Sequence, residues 1–316
     1  MDRSGALAAL RRAVAASGID GERWCVALSG GPDSLALTAV AAAERPTTAL
    51  IVDHGLQAGS DAVAAAARDH ALALGCVAAH VLPVTVGSAG GPEAAARRAR
   101  YDALDLARAG APVLLAHTLD DQAETVLLGL GRGSGPRSIA GMRPHDPPWH
   151  RPLLGIRRAV THAACAELGL VPWHDPHNIE RRYTRSRLRL DVLPLLEDVL
   201  GGGVAEALAR TAIAVREDTE TLDALAAEAF STVTAGAGLS TEALAGLPGA
   251  LRRRVLRSWL LAGGATDLAD VQIRAVDRLV TAWRGQGGVA VPSTLREQRL
   301  IASRRDGVLS LHREPV

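Results

Sequence analysis

An apolar run at residues 24–28 stops on Ser29-Gly30-Gly31-Pro32-Asp33-Ser34, and a second apolar stretch sets off at Leu35. A short buried strand, a glycine corner and a helix in that order open a parallel α/β sheet. The glycines allow positive φ and let the backbone approach an anion closely. The helix start offers unpaired amides and the positive end of its dipole. Ser29 and Ser34 add hydroxyl donors. Asp33 is itself an anion and does not hold phosphate directly. A divalent cation between them resolves the conflict, with Mg²⁺ the natural choice for oxygen ligands. A plain strand-to-helix turn with a Ser or Asp cap is the competing reading of the same six residues.

The alternation continues. Residues 48–52 and 77–84 read as strands, and 113–116 as a fourth. Between and after them, residues 61–74, 93–109 and 120–130 read as helices, the first closed by Gly75. Short connections between alternating elements predict a parallel sheet with helices on both faces. In such sheets ligands sit beyond the carboxyl ends of the strands, where strand order reverses. The clusters Ser29–Ser34, Asp53-His54 and His117-Asp121 all fall at such ends. After about residue 200 the pattern changes to a long helical stretch at 204–230, a turn at 235–239, helices at 251–261 and 271–283, and short strands at 289–291, 298–302 and 308–312. We therefore expect a catalytic domain at 1–200, then a helical linker and a small α+β domain at 201–316.

All 35 basic residues are Arg, so no Walker-type GxxxxGK[ST] loop exists. A nucleotide site must use backbone amides, hydroxyls, Arg and metal. The net charge of +1 hides an uneven spread: ten Arg against five acids at 136–195, and twelve against six from 247 onward. Two basic segments suggest a polyanionic partner, with solvated helix faces as the bland alternative. Cys25, Cys76 and Cys165 stand apart and form no metal or disulfide pattern. Residues 1–17 read as an amphipathic helix rather than a secretion signal, and no apolar run is long enough to span a bilayer. No membrane contact and a cytoplasmic location are the expectations.

SGGPDS resembles the PP-loop, SGGxDS, of the ATP-pyrophosphatase superfamily. Residues 116–125, Ala-His-Thr-Leu-Asp-Asp-Gln-Ala-Glu-Thr, are similar to the AHHxDDQxET signature of the tRNA(Ile)-lysidine synthases. Glu93 to Tyr101 resembles their ExxARxxRY helix, Asp53-His54-Gly55-Leu56 their DHGLR with Gln57 in place of Arg, residues 131–135 their RGSG loop, and Arg151-Pro152-Leu153-Leu154 their RPLL. Asp175 to Asn178 with residues 183–189 resembles DxSN…RNxxR, with His177 for Ser and Ser186 for Asn. Thr118 stands where a second His is usual. The likeness covers about two hundred residues in the family's order, and the Arg-rich remainder more loosely.

The resemblance implies a fold, a reaction and roles. The wobble cytidine of an isoleucine tRNA with a CAU anticodon would attack the α-phosphate of ATP through its ring carbonyl oxygen, releasing pyrophosphate. Free L-lysine would then displace AMP, leaving lysidine. Ser29, Gly30, Gly31, Pro32, Asp33 and Ser34 would bind ATP; Asp33 and Asp121 would hold Mg²⁺. His117 would hydrogen-bond the nucleotide or move a proton. Asp121 or Glu124 would receive the lysine ammonium, three residues apart on one helix face. Arg97, Arg100 and Arg189 would offset charge on phosphate and base. The Arg-rich tail, including Arg252, Arg253, Arg254, Arg257, Arg296, Arg299, Arg304 and Arg305, would grip the tRNA backbone. A homodimer is left open. The rivals are a PP-loop tRNA thiolase, which needs reactive thiols, a small-molecule amidating synthetase, which needs no basic segments, and a nucleotide-binding module without turnover.

Overall fold

A computed structural model describes residues 5–55, 59–87, 91–133, 135–175, 179–294 and 297–315, without the side chains of Pro92 and Glu93. Leu56, Gln57, Ser134, Pro176, His177, Asn178 and Arg296 lie outside the described residues. The chain divides into two compact units. One comprises Met1–Leu127 with Gly141–Arg210, the other Leu128–Ala140 with Thr211–Val316.

The first unit holds a six-stranded sheet of β1 (Trp24–Ala27), β2 (Thr47–Asp53), β3 (Ala78–Pro83), β4 (Val113–Leu114), β5 (His145–Asp146) and β6 (Trp149–His150). Its order is β3-β2-β1-β4-β6-β5, parallel throughout except for the β5–β6 hairpin at one edge. Helices α1 (Ala6–Ala16), α2 (Pro32–Glu44), α3 (Ser60–Ala73), α4 (Pro92–Ala107) and α5 (Leu119–Arg132) are followed by the short α6 (Pro136–Ile139). Then come α7 (Arg158–Glu167), α8 (Thr184–Arg187), a π-helical turn (Leu188–Val192), α9 (Leu193–Val199) and α10 (Val204–Val233).

Period-two side-chain alternation decides which helix each strand residue meets. Trp24 and Val26 of β1, with Ala49 and Ile51 of β2, enter one core with Leu10, Leu37, Ala67 and Cys165 from α1, α2, α3 and α7. Cys25 and Leu50 point the other way, to Leu104 of α4 and Val113. Both faces are covered, as a parallel sheet requires. Strand order reverses between β1 and β4, so the segments leaving those strands flank the crevice.

The β5–β6 hairpin was not legible in the sequence: two residues a side leave no alternation to read, and Pro147-Pro148 at its turn suits only an edge. In the second unit the antiparallel order is β7-β8-β11-β10-β9, from β7 (Thr234–Ala235), β8 (Gly238–Ser240), β9 (Val289–Val291), β10 (Gln298–Arg305) and β11 (Val308–Pro315). The expected turn at 235–239 is thus a small hairpin. Asp306 and Gly307 join β10 to β11 with φ of 48° and 77°, the two positive values that a tight hairpin needs. Helices α11 (Thr241–Gly246), α12 (Gly249–Ala262) and α13 (Asp270–Thr281) bury Leu244, Leu256, Leu260 and Leu279 against Leu300 and Leu309. Among the described residues no helix is long and apolar enough to cross a membrane.

Candidate functional site

The glycine corner follows β1 directly. Gly30 has φ of +82°, so only glycine is relaxed there, and its carbonyl accepts the Trp173 N–H at 3.0 Å. Gly31 differs from the expectation: its φ is −74° and ψ 164°, the extended geometry of a helix N-cap. Pro32 occupies the first helical position, where a missing N–H costs nothing. Ser34 ties the corner together, accepting from the Ser29 N–H at 3.2 Å and donating to the Gly31 carbonyl at 3.0 Å. Its hydroxyl also meets that of Ser29 at 3.1 Å.

Asp33 projects from the first turn of α2. One of its oxygens accepts the Thr161 hydroxyl of α7, and the other has Arg158 Nε at 3.7 Å. Burial pushes its carboxyl above the ordinary range, with Thr161 and Arg158 opposing and Asp121 adding to the rise. His162 lies 3.9 Å away.

The segment after β4 supplies the second group. Thr118, fully buried, precedes α5 and donates twice to Asp121 Oδ2, from N at 2.8 Å and Oγ1 at 2.7 Å. Arg158 reaches Asp121 Oδ1 at 2.7 Å, and Arg189 reaches the same oxygen at 3.4 Å. Glu124, with no exposed surface, takes Arg189 Nε at 2.8 Å and Arg158 Nη2 at 3.3 Å. Asp121 and Glu124 therefore share a face, held by two guanidinium forks. Burial disfavours charge on Asp121, but Arg158, the Thr118 N–H and His117 outweigh it and hold the carboxyl below its usual range. The same carboxylates, with Asp33 and Asp120, raise the pKa of Arg158 against its own burial. Arg157 adds an ion pair to Asp120 at 3.2 Å. A cavity of about 300 Å³ opens beside this network, lined by Asp120, Arg157, Arg158, His162, Arg189 and Glu197 among others.

Arg158 was missed by the sequence reading. The only local signal is an Arg-Arg pair ahead of a helix, and the nearest of its acidic partners, Glu124, lies 34 residues away. Thr118, expected only to depart from the family pattern, orients Asp121.

His117 lies beside a different set. Burial, with Arg151, Arg100 and Arg97 nearby, lowers its pKa to about 4 despite Asp121, so the imidazole is neutral near pH 7. Its Nδ1 is buried without a partner among the described residues, as is that of His54 at the end of β2. Arg97 donates to the Tyr101 hydroxyl at 3.1 Å and lies over its ring, and the half-buried Arg100 is 5.8 Å from the same ring. Asp53 accepts the Gly55 N–H at 2.9 Å, the leading cause of its lowered pKa, and so shapes the turn after β2.

In the second unit the Arg-rich helix is partly engaged internally. Arg252 pairs with Asp277 at 2.6 Å, Arg254 with Asp223 at 2.9 Å, and Arg304 donates to the Leu279 carbonyl at 3.0 Å. Arg299 and Arg305 are exposed.

Residues 7–196 match a family model described as a PP-loop domain, and residues 239–310 match one described as a TilS substrate binding domain. The chain is 72% identical over 320 aligned positions to the tRNA(Ile)-lysidine synthase of Mycolicibacterium paratuberculosis, covering 100% of both. It is 71% identical over 324 positions to that of Mycobacterium tuberculosis, again covering 100% of both. Against the enzyme of Nocardia farcinica it is 64% identical over 290 positions, covering 92% of this chain and 91% of the other. Among solved structures it resembles the U34-tRNA thiolase NcsA from Methanococcus maripaludis, solved with its 4Fe–4S cluster. That match has a TM-score of 0.55 at 18% identity, over 67% of this chain and 80% of the other, and it is a likeness of fold alone.

Proposed function

The chain belongs to the tRNA(Ile)-lysidine synthase family, and from that premise we propose how its residues carry the reaction. The protein is an ATP-dependent ligase that joins lysine to the wobble cytidine of the CAU-anticodon isoleucine tRNA, releasing AMP and pyrophosphate. The observation that carries the assignment of the site is a convergence. The glycine corner after β1 and the acid–Arg cluster after β4 flank the one reversal of strand order, and Asp33 and Asp121 share Arg158.

The corner's hydroxyls and the first-turn amides of α2 cradle the pyrophosphate portion of ATP. Neutral His117 hydrogen-bonds the nucleotide. Activation is needed because an oxo group leaves poorly, whereas AMP leaves well. The second step needs a site for a zwitterionic amine. The 300 Å³ cavity beside Asp121, Glu124, Arg158 and Arg189 offers both charges, carboxylates for ammonium groups and guanidiniums for the carboxylate. The enzyme's work is positioning and charge stabilisation. The Arg-bearing second unit holds tRNA phosphates, with exposed Arg299 and Arg305 better placed for this than the paired Arg252. Such a reaction belongs in the cytoplasm.

For Mg²⁺, the donor set fits Asp33 better than Asp121. Asp33 is half-buried and incompletely compensated, and one of its oxygens has no hydrogen-bonded donor among the described residues. Asp121 already accepts from Thr118 twice, Arg158 and Arg189, which occupies its lone pairs. Asp33 is thus the residue that would hold the ion, and its carboxylate oxygen suits Mg²⁺. Asp121 would contribute an oxygen only without its contact to Arg158. When bound, the ion neutralises charge on the departing pyrophosphate.

The thiolase alternative is not favoured. Cys25, Cys76 and Cys165 are all buried, and burial raises the thiols of Cys76 and Cys165 to about 11. The test is mass spectrometry of the isoleucine tRNA transcript after incubation with ATP, Mg²⁺ and lysine. A lysine-sized gain confined to the anticodon loop is expected; an unaltered transcript with folded protein rejects the reading.

A further inference from the structure

We propose that Arg151 binds a phosphate group in the active site, as the inner member of a cation cluster with Arg97 and Arg100. Arg151 is 6% exposed. Its Nη1 donates to the Arg143 carbonyl at 2.8 Å, but its Nε is buried with no acceptor, and no carboxylate pairs with it among the described residues. A guanidinium withdrawn from water without a counter-ion costs several kcal/mol. The other deeply placed arginines escape that cost: Arg158 faces Asp121 and Glu124, and Arg252 faces Asp277. Arg151 stands apart from them, and a buried cation with no counter-ion among the described residues awaits an external anion.

Its position says where that anion sits. Arg151 follows β6 directly, and β6 lies parallel to β4, with His150 opposite Leu114. Arg151 and His117 therefore leave the same end of neighbouring strands. Arg151, Arg100 and Arg97 all act electrostatically on His117. Neither Arg97 nor Arg100 has a carboxylate partner among the described residues; both face the ring of Tyr101. Burial lowers the pKa of Arg100 most, with Tyr101 opposing and Arg97 and Arg185 adding to the fall as like charges. Three guanidiniums whose fields all reach one imidazole match a group with several anionic oxygens, and guanidinium forks suit phosphate geometry. Given the proposed reaction, such a group comes from ATP or from the anticodon backbone of the tRNA.

Arg151→Met keeps the side chain's apolar length and removes the charge; Arg151→Lys keeps the charge and removes the fork. Each is compared with wild type in three measurements without turnover. These are the melting temperature of the ligand-free protein, the affinity for an ATP analogue uncleavable between the α- and β-phosphates, and the affinity for an anticodon stem-loop RNA. For Arg151→Met we expect an unchanged or higher melting temperature and a roughly tenfold loss of affinity, about 1.4 kcal/mol, for at least one ligand. Arg151→Lys should recover part of it. Loss confined to the analogue assigns the nucleotide's phosphate, and loss confined to the RNA assigns the backbone. Unchanged affinity for both overturns the proposal, as does a melting temperature lowered by more than about 4 °C, which would reveal an internal counter-ion. If wild type makes no lysidine, the functional reading fails while the affinity loss in Arg151→Met still stands.

Discussion

Arg158 Nη2 donates to Asp121 Oδ1 at 2.7 Å, joining the first turn of α7 to the first turn of α5. The backbone N–H of Arg158 meanwhile donates to Asp120 Oδ2, also at 2.7 Å. One residue thereby fixes two consecutive acids, and its Nε lies 3.7 Å from a third at Asp33. Removing the guanidinium leaves buried carboxylates without compensation, a loss of order 3–5 kcal/mol. Arg189 still covers Glu124, so we expect about 3 kcal/mol for Arg158→Met and a partial loss for Arg158→Lys. Urea unfolding measures it, and a change under about 1 kcal/mol would show that water already compensates these acids.

The protonation of His117 sets a pH limit. Its native pKa is about 4 against an ordinary 6.5, so between those values the unfolded chain takes up a proton that the folded one refuses. Stability therefore falls as pH drops below 6.5, by up to about 1.4 kcal/mol per unit. Asp121 acts in the same direction at lower pH, because its folded pKa is depressed and its stabilisation vanishes as the carboxylate protonates. Urea midpoints taken from pH 7.5 to 4.5 should decline, and His117→Gln should flatten the upper part of that slope. An identical slope in the variant would place the titration elsewhere.

Gly129 tests how closely α5 packs against α6. A Cβ there would stand 2.0 Å from the Ser138 carbonyl oxygen and 2.6 Å from its carbon, both backbone atoms with little freedom to move. Gly129→Ala should lower stability by more than about 2 kcal/mol, toward the upper end of the usual cost of overpacking, despite alanine's better helix propensity. Differential scanning calorimetry reads the result, and a neutral outcome would mean that the close approach relaxes at no cost.

Thiol chemistry gives a fourth test. With Cys76 and Cys165 raised to about 11 by burial, and Cys25 raised as well, little thiolate exists at pH 8. A chromogenic disulfide reagent should label the native protein slowly and release three equivalents after denaturation. Rapid labelling of one thiol in the native state would reopen the thiolase reading.

The fold was legible where its determinants are local. The apolar run at 24–28 and the glycine corner after it state their own geometry, and the same holds for the strand ends at Asp53 and His117. The three-residue spacing of Asp121 and Glu124 placed them on one face. Contacts that join distant segments were not legible. Nothing near Arg158 or Arg151 in the sequence says that, among the described residues, one faces three acids and the other none. The Arg-rich tail was legible only as a total, because a charge count does not reveal that Asp277 and Asp223 pair with Arg252 and Arg254. Gly31 looked like a positive-φ glycine because composition does not separate its N-cap geometry from that of Gly30.

The thirteen residues Leu128–Ala140 pack with the second unit although the chain on either side belongs to the first. Arg137 pairs with Asp223, and the Ala140 carbonyl accepts from Arg216, both supplied by residues made long afterwards. A ribosome that has released only the first two hundred residues has therefore exported a loop whose docking site is still unsynthesised. Cutting the gene at that point yields a fragment with an orphaned insertion, and separating the halves cleanly requires excising that loop as well.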